Sequence, residues 1–236
     1  MIPRAPETRG PPAKARRGQP AHVFITGVPG SGKTTLARVF LANGKRAIDG
    51  DLSIGMWLDG QGRRVRAPPR IGRGINRWAE RRGLTWKCDE ARLLRLLQRN
   101  RDRDLFLFGG PTPPRLDMFD RRVWLKVDAE TVQKRLRGRV RDTERYHNFG
   151  ATESQRASVV RSLSRRDQEA VQNQFEILDA SKSPEELFSL ITGDLGPAAA
   201  GPDRRRYGRP GRKPPLGRQP GAASSGVRHP AARGRR

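Results

Sequence analysis

Cysteine is nearly absent from this chain of 236 residues: Cys88 stands alone. A single thiol excludes an internal disulfide, and with it the small stapled scaffolds of oxidising compartments. Long apolar runs are missing as well, since no stretch approaches the roughly 18 apolar residues of a membrane-spanning helix. Near the start, Arg4 and Arg9 are followed by Pro- and Gly-rich sequence, not by the apolar run of a secretory signal. These absences predict a cytoplasmic protein with no membrane insertion. Apolar residues make up only 34% of the chain, so part of its length cannot bury enough surface to fold. Acidic residues are scarce too: 24 Asp+Glu stand against 49 Lys+Arg, a net charge of +25. An excess of that size says nothing about fold, but it attracts nucleotides, nucleic acid or anionic membrane.

The charge is unevenly placed. Residues 1–20 hold five Lys/Arg and one acid, and residues 196–236 hold eleven Lys/Arg and one acid, both interleaved with Pro and Gly. Each segment reads as a disordered basic tail, because neither can offset its chain entropy by burial. Either the tails engage a polyanion non-specifically, or they are solubilising extensions. Between them, residues 21–195 have the size of one α/β domain.

That core alternates strand and helix patterns. His22–Thr26, Arg46–Asp49, Asp104–Phe108, Val123–Val127 and Phe175–Leu178 read as short strands. Helices are expected from Lys33 to Leu41, after Asp89 with Leu93, Leu94, Leu96 and Leu97 on one apolar face, after Asp128 to about Arg137, over 152–173, and from Pro184. Such alternation predicts a parallel sheet with helices on both faces.

One motif is specific. Gly27, Val28, Pro29, Gly30, Ser31, Gly32, Lys33 and Thr34 fit G-x-x-x-x-G-K-[ST], after an apolar strand and before a helical pattern. Glycines let successive backbone N–H groups curl around phosphate oxygens, and the helix N-terminus adds its positive dipole end. Lys33 is placed to reach the β- and γ-phosphates, and the Thr34 hydroxyl to hold Mg²⁺. Together with Thr35, these residues predict a site for a nucleoside triphosphate, ATP first.

The other candidates are less specific. Asp49-Gly50-Asp51 follows the second strand, at the end of a parallel sheet where ligands bind. Asp49 and Asp51 are two carboxylates that suit either Mg²⁺ held through water or an acceptor hydroxyl, unless the pair is an ordinary Asp-Gly turn. Gly109 and Gly110 end the third core strand, where many P-loop enzymes place a metal-binding Asp. They form either a surface for close substrate approach or only a turn. The Arg-rich stretch that includes Arg135, Arg139 and Arg141 reads as a lid over about 138–151 or as a solvated charge run. Arg139 and Arg141 are its candidates for neutralising transition-state charge. The segment 52–88 carries Arg63, Arg64, Arg66, Arg70 and Arg73 among Trp57, Trp78 and Trp86. It reads as a substrate-binding insertion, with an anionic small molecule or a single strand as its ligand, unless the tryptophans are core or cap residues and the arginines are solvated.

Together these residues resemble the shikimate-kinase and gluconate-kinase branch of the P-loop small-molecule and nucleotide kinases. The resemblance rests on the loop, on Ala47-Ile48-Asp49-Gly50-Asp51, on the glycine-ended third strand, on the run Val123 to Arg135, on Asn148-Phe149-Gly150 and on Asp179 to Pro184. It implies a five-stranded parallel sheet of order 2-3-1-4-5. It also implies that Asp49 lies near Mg²⁺ and Asp51 faces the acceptor hydroxyl, that Arg135 packs on adenine opposite Ser183-Pro184, that Gly109 and Gly110 line the acceptor pocket, and that Arg166 or Arg165 meets an anionic substrate. The segment 52–86 lacks the Phe-Arg-x-x-Glu pattern by which shikimate kinases hold their acid, which argues against shikimate. The reading that follows is an ATP- and Mg²⁺-dependent kinase acting on a small acceptor. Its alternative is a nucleotide-binding protein with little transfer activity, whose tails bind nucleic acid or another polyanion.

Overall fold

The computed structural model describes residues 20–68, 75–110, 112–113, 115–139, 150 and 152–193. Five parallel strands form the main sheet: β1 (His22–Thr26), β2 (Ala47–Asp49), β6 (Leu105–Phe108), β7 (Arg121–Lys126) and β8 (Glu176–Asp179). Their order is β2-β6-β1-β7-β8, which is the expected 2-3-1-4-5 when the core strands alone are counted. All four residues of β6 are buried, as a strand covered on both faces requires.

Register shows what covers each face. Val23 and Ile25 of β1 pair with Phe106 and Phe108, so all four side chains point to one side. There α1 (Lys33–Ala42) inserts Phe40, its ring 4.6 Å from Phe106, 5.2 Å from Phe108 and 4.8 Å from Phe188 of α7 (Pro184–Gly193). The opposite face carries Phe24 and Trp124, with Phe24 packed 5.3 Å from Phe119 and 6.1 Å from Phe175. Trp124 donates its indole N–H to Asp167 at 2.7 Å, which fastens α6 (Glu153–Gln172) to that face. α5 (Ala129–Arg139) begins after Asp128, whose carboxylate accepts the Thr131 N–H at 2.8 Å.

The segment between β2 and β6 builds structure that the strand–helix reading did not anticipate. A short helix α2 (Gly50–Ser53) leads into β3 (Gly55–Leu58). A hairpin then returns as β4 (Arg64–Val65), α3 (Ile75–Arg81) follows, and β5 (Thr85–Cys88) completes a separate antiparallel sheet of order β4-β3-β5. The hairpin turn is held by Asp59, whose Oδ1 accepts the N–H groups of Gln61 and Arg63, each at 2.9 Å. Chain flow then passes to α4 (Glu90–Gln98), capped by Asp89 as expected, with Oδ1 accepting the Arg92 N–H at 3.0 Å. Its apolar face is narrower than expected. Leu93 and Leu97 are buried, Leu96 is half-buried, and Leu94 faces solvent because the helix has one packed side.

Among the described residues, no helix is long and apolar enough to cross a membrane. The two expected tails and nearly all of the expected lid at 138–151 lie outside the described residues.

Candidate functional site

Parallel pairing brings the carboxyl ends of three strands to one edge of the sheet. Ile25 is in register with Phe108, and Phe108 with Asp49. The loops that leave these strands are the glycine-rich loop, the Asp49–Asp51 turn and Gly109-Gly110, which therefore meet there.

The glycine-rich loop spans Gly27 to Gly32 between β1 and α1. Gly32 sits in the left-handed region at φ 97° and opens α1. Close approach constrains Gly27, where a β-carbon would lie 2.7 Å from Ser31 Oγ and 2.8 Å from the Leu125 carbonyl. Lys33 folds back over the loop and donates to the carbonyls of Gly27 (2.7 Å) and Val28 (2.9 Å) and to Ser31 Oγ at 3.3 Å. The ammonium thus rests on carbonyls of its own loop. Thr34 and Thr35 occupy the first turn of α1 and are exposed.

The Asp49–Asp51 turn divides its labour. Asp49 caps α2, its Oδ1 accepting the Leu52 N–H at 3.3 Å, which is the structural reading of that residue. Asp51 accepts the indole N–H of Trp86 on Oδ1 at 3.1 Å. The glycines of the third core strand explain the tight joint. A β-carbon on Gly50 would collide with the Gly109 carbonyl, and one on Gly110 would lie 2.9 Å from the Gly50 carbonyl carbon.

Arg135 sits at the other side of the loop. It donates to the Gly30 carbonyl at 3.4 Å and to the Ala180 carbonyl at 2.9 Å, tying α5 to the loop and to the segment after β8. Ser183 and Pro184 follow in that segment. Ser183 forms a capping box with Glu186: its Oγ accepts the Glu186 N–H at 3.1 Å, and its own N–H donates to Glu186 Oε2 at 2.9 Å. The Ser183 hydroxyl and N–H hold the Glu186 carboxyl below its usual range.

Beside Asp51 opens a cavity of about 600 Å³ lined by residues of the antiparallel sheet, including Trp57, Arg64 and Trp86, by Arg66 just after β4 and by Arg92 of α4. Arg64 and Arg66 stood among the basic residues noted in the sequence, but Arg92 did not. Its only signal was its place three residues after the capping Asp89. Arg166 is exposed on α6 and does not line this cavity, and Arg165 pairs with Glu169 on its own helix. Arg141 lies outside the described residues, as does the side chain of Arg139. Among the described residues, no group of three or more His, Cys, Asp or Glu gathers as a metal site.

Sheet order and loop define a P-loop protein of the nucleotide- and small-molecule-kinase architecture. The chain belongs to the AAA domain family, whose model matches residues 23–161. No curated protein matches it significantly in sequence. Three solved structures illustrate its similarities. A gluconokinase from Sinorhizobium meliloti 1021 is 17% identical, with 76% of this chain and 93% of that one covered and a TM-score of 0.44. A sugar kinase from Janibacter sp. HTCC2649 is 21% identical, covering 76% and 99%, at a TM-score of 0.47. The third is a shikimate kinase from Acinetobacter baumannii in complex with shikimate, 14% identical, covering 75% and 96%, at a TM-score of 0.44. At such identities no acceptor is carried over from any of them.

Proposed function

We propose that this protein is a kinase that transfers the γ-phosphoryl group of ATP to a hydroxyl of a small acceptor. The observation that carries this reading is the shared position of Lys33 and Asp51. A β-carbon on Gly109 would lie 3.4 Å from Lys33 Cε and 3.7 Å from Asp51 Oδ2, so the two side chains border one gap. One belongs to the phosphate-binding loop and the other to the wall of the adjoining cavity.

The backbone N–H groups of Gly27 to Thr34 would hold the phosphates, and Lys33 would swing from the loop carbonyls onto the β- and γ-phosphate oxygens. The residues available fit this ligand. At Gly27 the loop packs too closely on Ser31 and the Leu125 carbonyl for a β-carbon, and the Lys33 ammonium now rests on carbonyl oxygens that phosphate oxygens out-compete. Thr34 and the second oxygen of Asp49 would hold Mg²⁺. Two oxygens suit an ion that keeps several waters and binds with substrate phosphates. When bound, Mg²⁺ supplies neutralisation of phosphate charge. Arg135 and the Ser183-Pro184 segment would flank the nucleotide base. Asp51 would orient the acceptor hydroxyl and take its proton.

The test is transfer from γ-labelled ATP to a panel of hydroxy acids, sugar acids, nucleosides and nucleotides. Lys33→Ala is expected to lower transfer by about 10²–10³-fold, and Asp51→Asn by about 10²–10⁴-fold. Transfer at the wild-type rate in Lys33→Ala would refute the reading.

A further inference from the structure

The cavity next to Asp51 has a composition that the phosphate-binding loop does not explain, and no residue from Gly27 to Thr34 lines it. Its wall combines two features. Trp57 and Trp86 pack together with ring centroids 4.6 Å apart, beside Met56, Val65 and Ile75. Three arginines, Arg64, Arg66 and Arg92, join them.

Charge in this cavity is only partly balanced. Asp89 is buried, and its Oδ2 lies 3.2 Å from Arg64 Nη1 and 3.3 Å from Arg92 Nε, while its Oδ1 caps α4. One carboxylate therefore positions two guanidinium groups. Each has five N–H donors in a fixed fork, so most remain available after one contact to Asp89. Arg66 has no ion-pair partner among the described residues. The result is two arginines aligned by a buried acid and a third beside them, with more donors and more positive charge than the described residues satisfy. An apolar cavity with a few convergent polar groups is the usual form of a small-molecule site. The contact between Trp57 and Trp86 also disfavours a nucleic-acid strand, because their mutual packing leaves no slot for a base between them.

Asp51 closes one end of the same cavity. Trp86 occupies its Oδ1, while Oδ2 faces the gap at Gly109 that Lys33 also borders. We propose that this cavity binds the acceptor, and that the acceptor carries a carboxylate or phosphate, a flat or ring-shaped apolar body, and a hydroxyl. The oxyanion meets Arg64, Arg66 and Arg92, the body lies on Trp57 and Trp86, and the hydroxyl meets Asp51. Only the hydroxyl assignment rests on the kinase reading. In that step the acceptor oxygen bonds to the γ-phosphorus and the bond from that phosphorus to the β,γ-bridging oxygen breaks. ADP leaves with the electron pair, and the hydroxyl proton passes to Asp51 and then to water.

The experiment is a tryptophan-fluorescence titration of the full chain without nucleotide. Its probes are 3-hydroxybenzoate, 3-hydroxyphenyl phosphate, the neutral 3-hydroxybenzamide and a short oligothymidylate. At least one anionic probe is expected to bind about tenfold or more tightly than the amide, and the better anion identifies the oxyanion class. Arg66→Gln, which disturbs no ion pair among the described residues, is expected to weaken the anion about five- to tenfold and leave the amide unchanged. Arg92→Gln is expected to weaken it further. Equal affinity for anion and amide, preference for oligothymidylate, no effect of Arg66→Gln, or no quenching up to about 10 mM of either anion would each overturn the proposal. Selective anion binding without phosphoryl transfer to any acceptor would leave the site standing and remove the kinase reading. Transfer to a neutral acceptor with no anion binding would do the reverse.

Discussion

Lys33 and Asp51 flank one glycine: Gly109 lies between them at φ +68°, and the space a β-carbon would take borders both side chains. Lys33 follows the glycine-rich loop, and Asp51 lines the cavity beside the antiparallel sheet. A methyl group there meets both neighbours at ordinary contact distance, so its main effects are backbone strain and occupation of the gap. Gly109→Ala is expected to cost about 1–2 kcal/mol of stability and to lower phosphoryl transfer about tenfold or more. Urea unfolding and initial rates separate the two effects. Gly50→Ala is the contrasting change. Its methyl group would overlap the Gly109 carbonyl, and destabilisation of about 1–3 kcal/mol is expected because backbone, unlike a side chain, cannot swing aside.

Arg121 joins three elements at the far edge of the sheet. Its guanidinium donates to both oxygens of Glu176, at 2.6 and 2.8 Å, and to the carbonyls of Ile191 at 2.6 Å and Leu190 at 3.2 Å. Arg121→Lys keeps the charge but loses the fork. A loss of about 2 kcal/mol is expected by denaturant titration. An unchanged midpoint would show that the α7 terminus does not depend on this contact.

Ser183→Ala removes the capping box of α7 and lowers the melting temperature by roughly 2–4 °C, the shift expected for about 1 kcal/mol in a domain of this size. It also changes the acid limb. The Glu186 carboxyl is held low in the folded state by Ser183, so that contribution is present above the unfolded pKa and lost as pH falls. Melting temperature against pH is expected to fall less steeply at the acid end in the variant than in the wild type.

Cys88 is buried, and burial, followed by the nearby Asp89 and Glu90 carboxylates, pushes its thiol from 9.0 up to about 11. The folded state therefore keeps its proton where the unfolded chain has lost it. This contribution to stability is full below about pH 9 and is lost as pH rises through about 11. Cys88→Ala is expected to flatten the alkaline limb of stability. Alkylation of the native thiol by iodoacetamide is expected to stay slow at pH 8, where an exposed thiol reacts readily.

Much of the main sheet was legible in the chain because its signals are local. Strand β1, the glycine-rich loop and α1 follow one another in sequence, and β6 is an unbroken apolar run. The caps at Asp89 and Asp128 and the proline opening α7 were legible for the same reason. The antiparallel sheet was not. β4 is two residues long and carries an arginine, and β5 reads Thr85-Trp86-Lys87-Cys88, too short a pattern to stand out beside an Arg-rich stretch. The Asp59-Gly60 pair was the available turn signal.

The sequence by itself determined the phosphate-binding loop, since eight adjacent residues carry both the geometry and the chemistry of a polyphosphate site. It also determined the alternation that makes a parallel sheet. Tertiary structure alone decided which distant residues share a space: Lys33 with Asp51 across Gly109, Asp51 with Trp86, and Arg64 with Arg92 through Asp89. Those relationships depend on strand register and on close backbone packing at Gly50, which place residues by distance in space. A linear pattern records neighbours along the chain and carries no such distance.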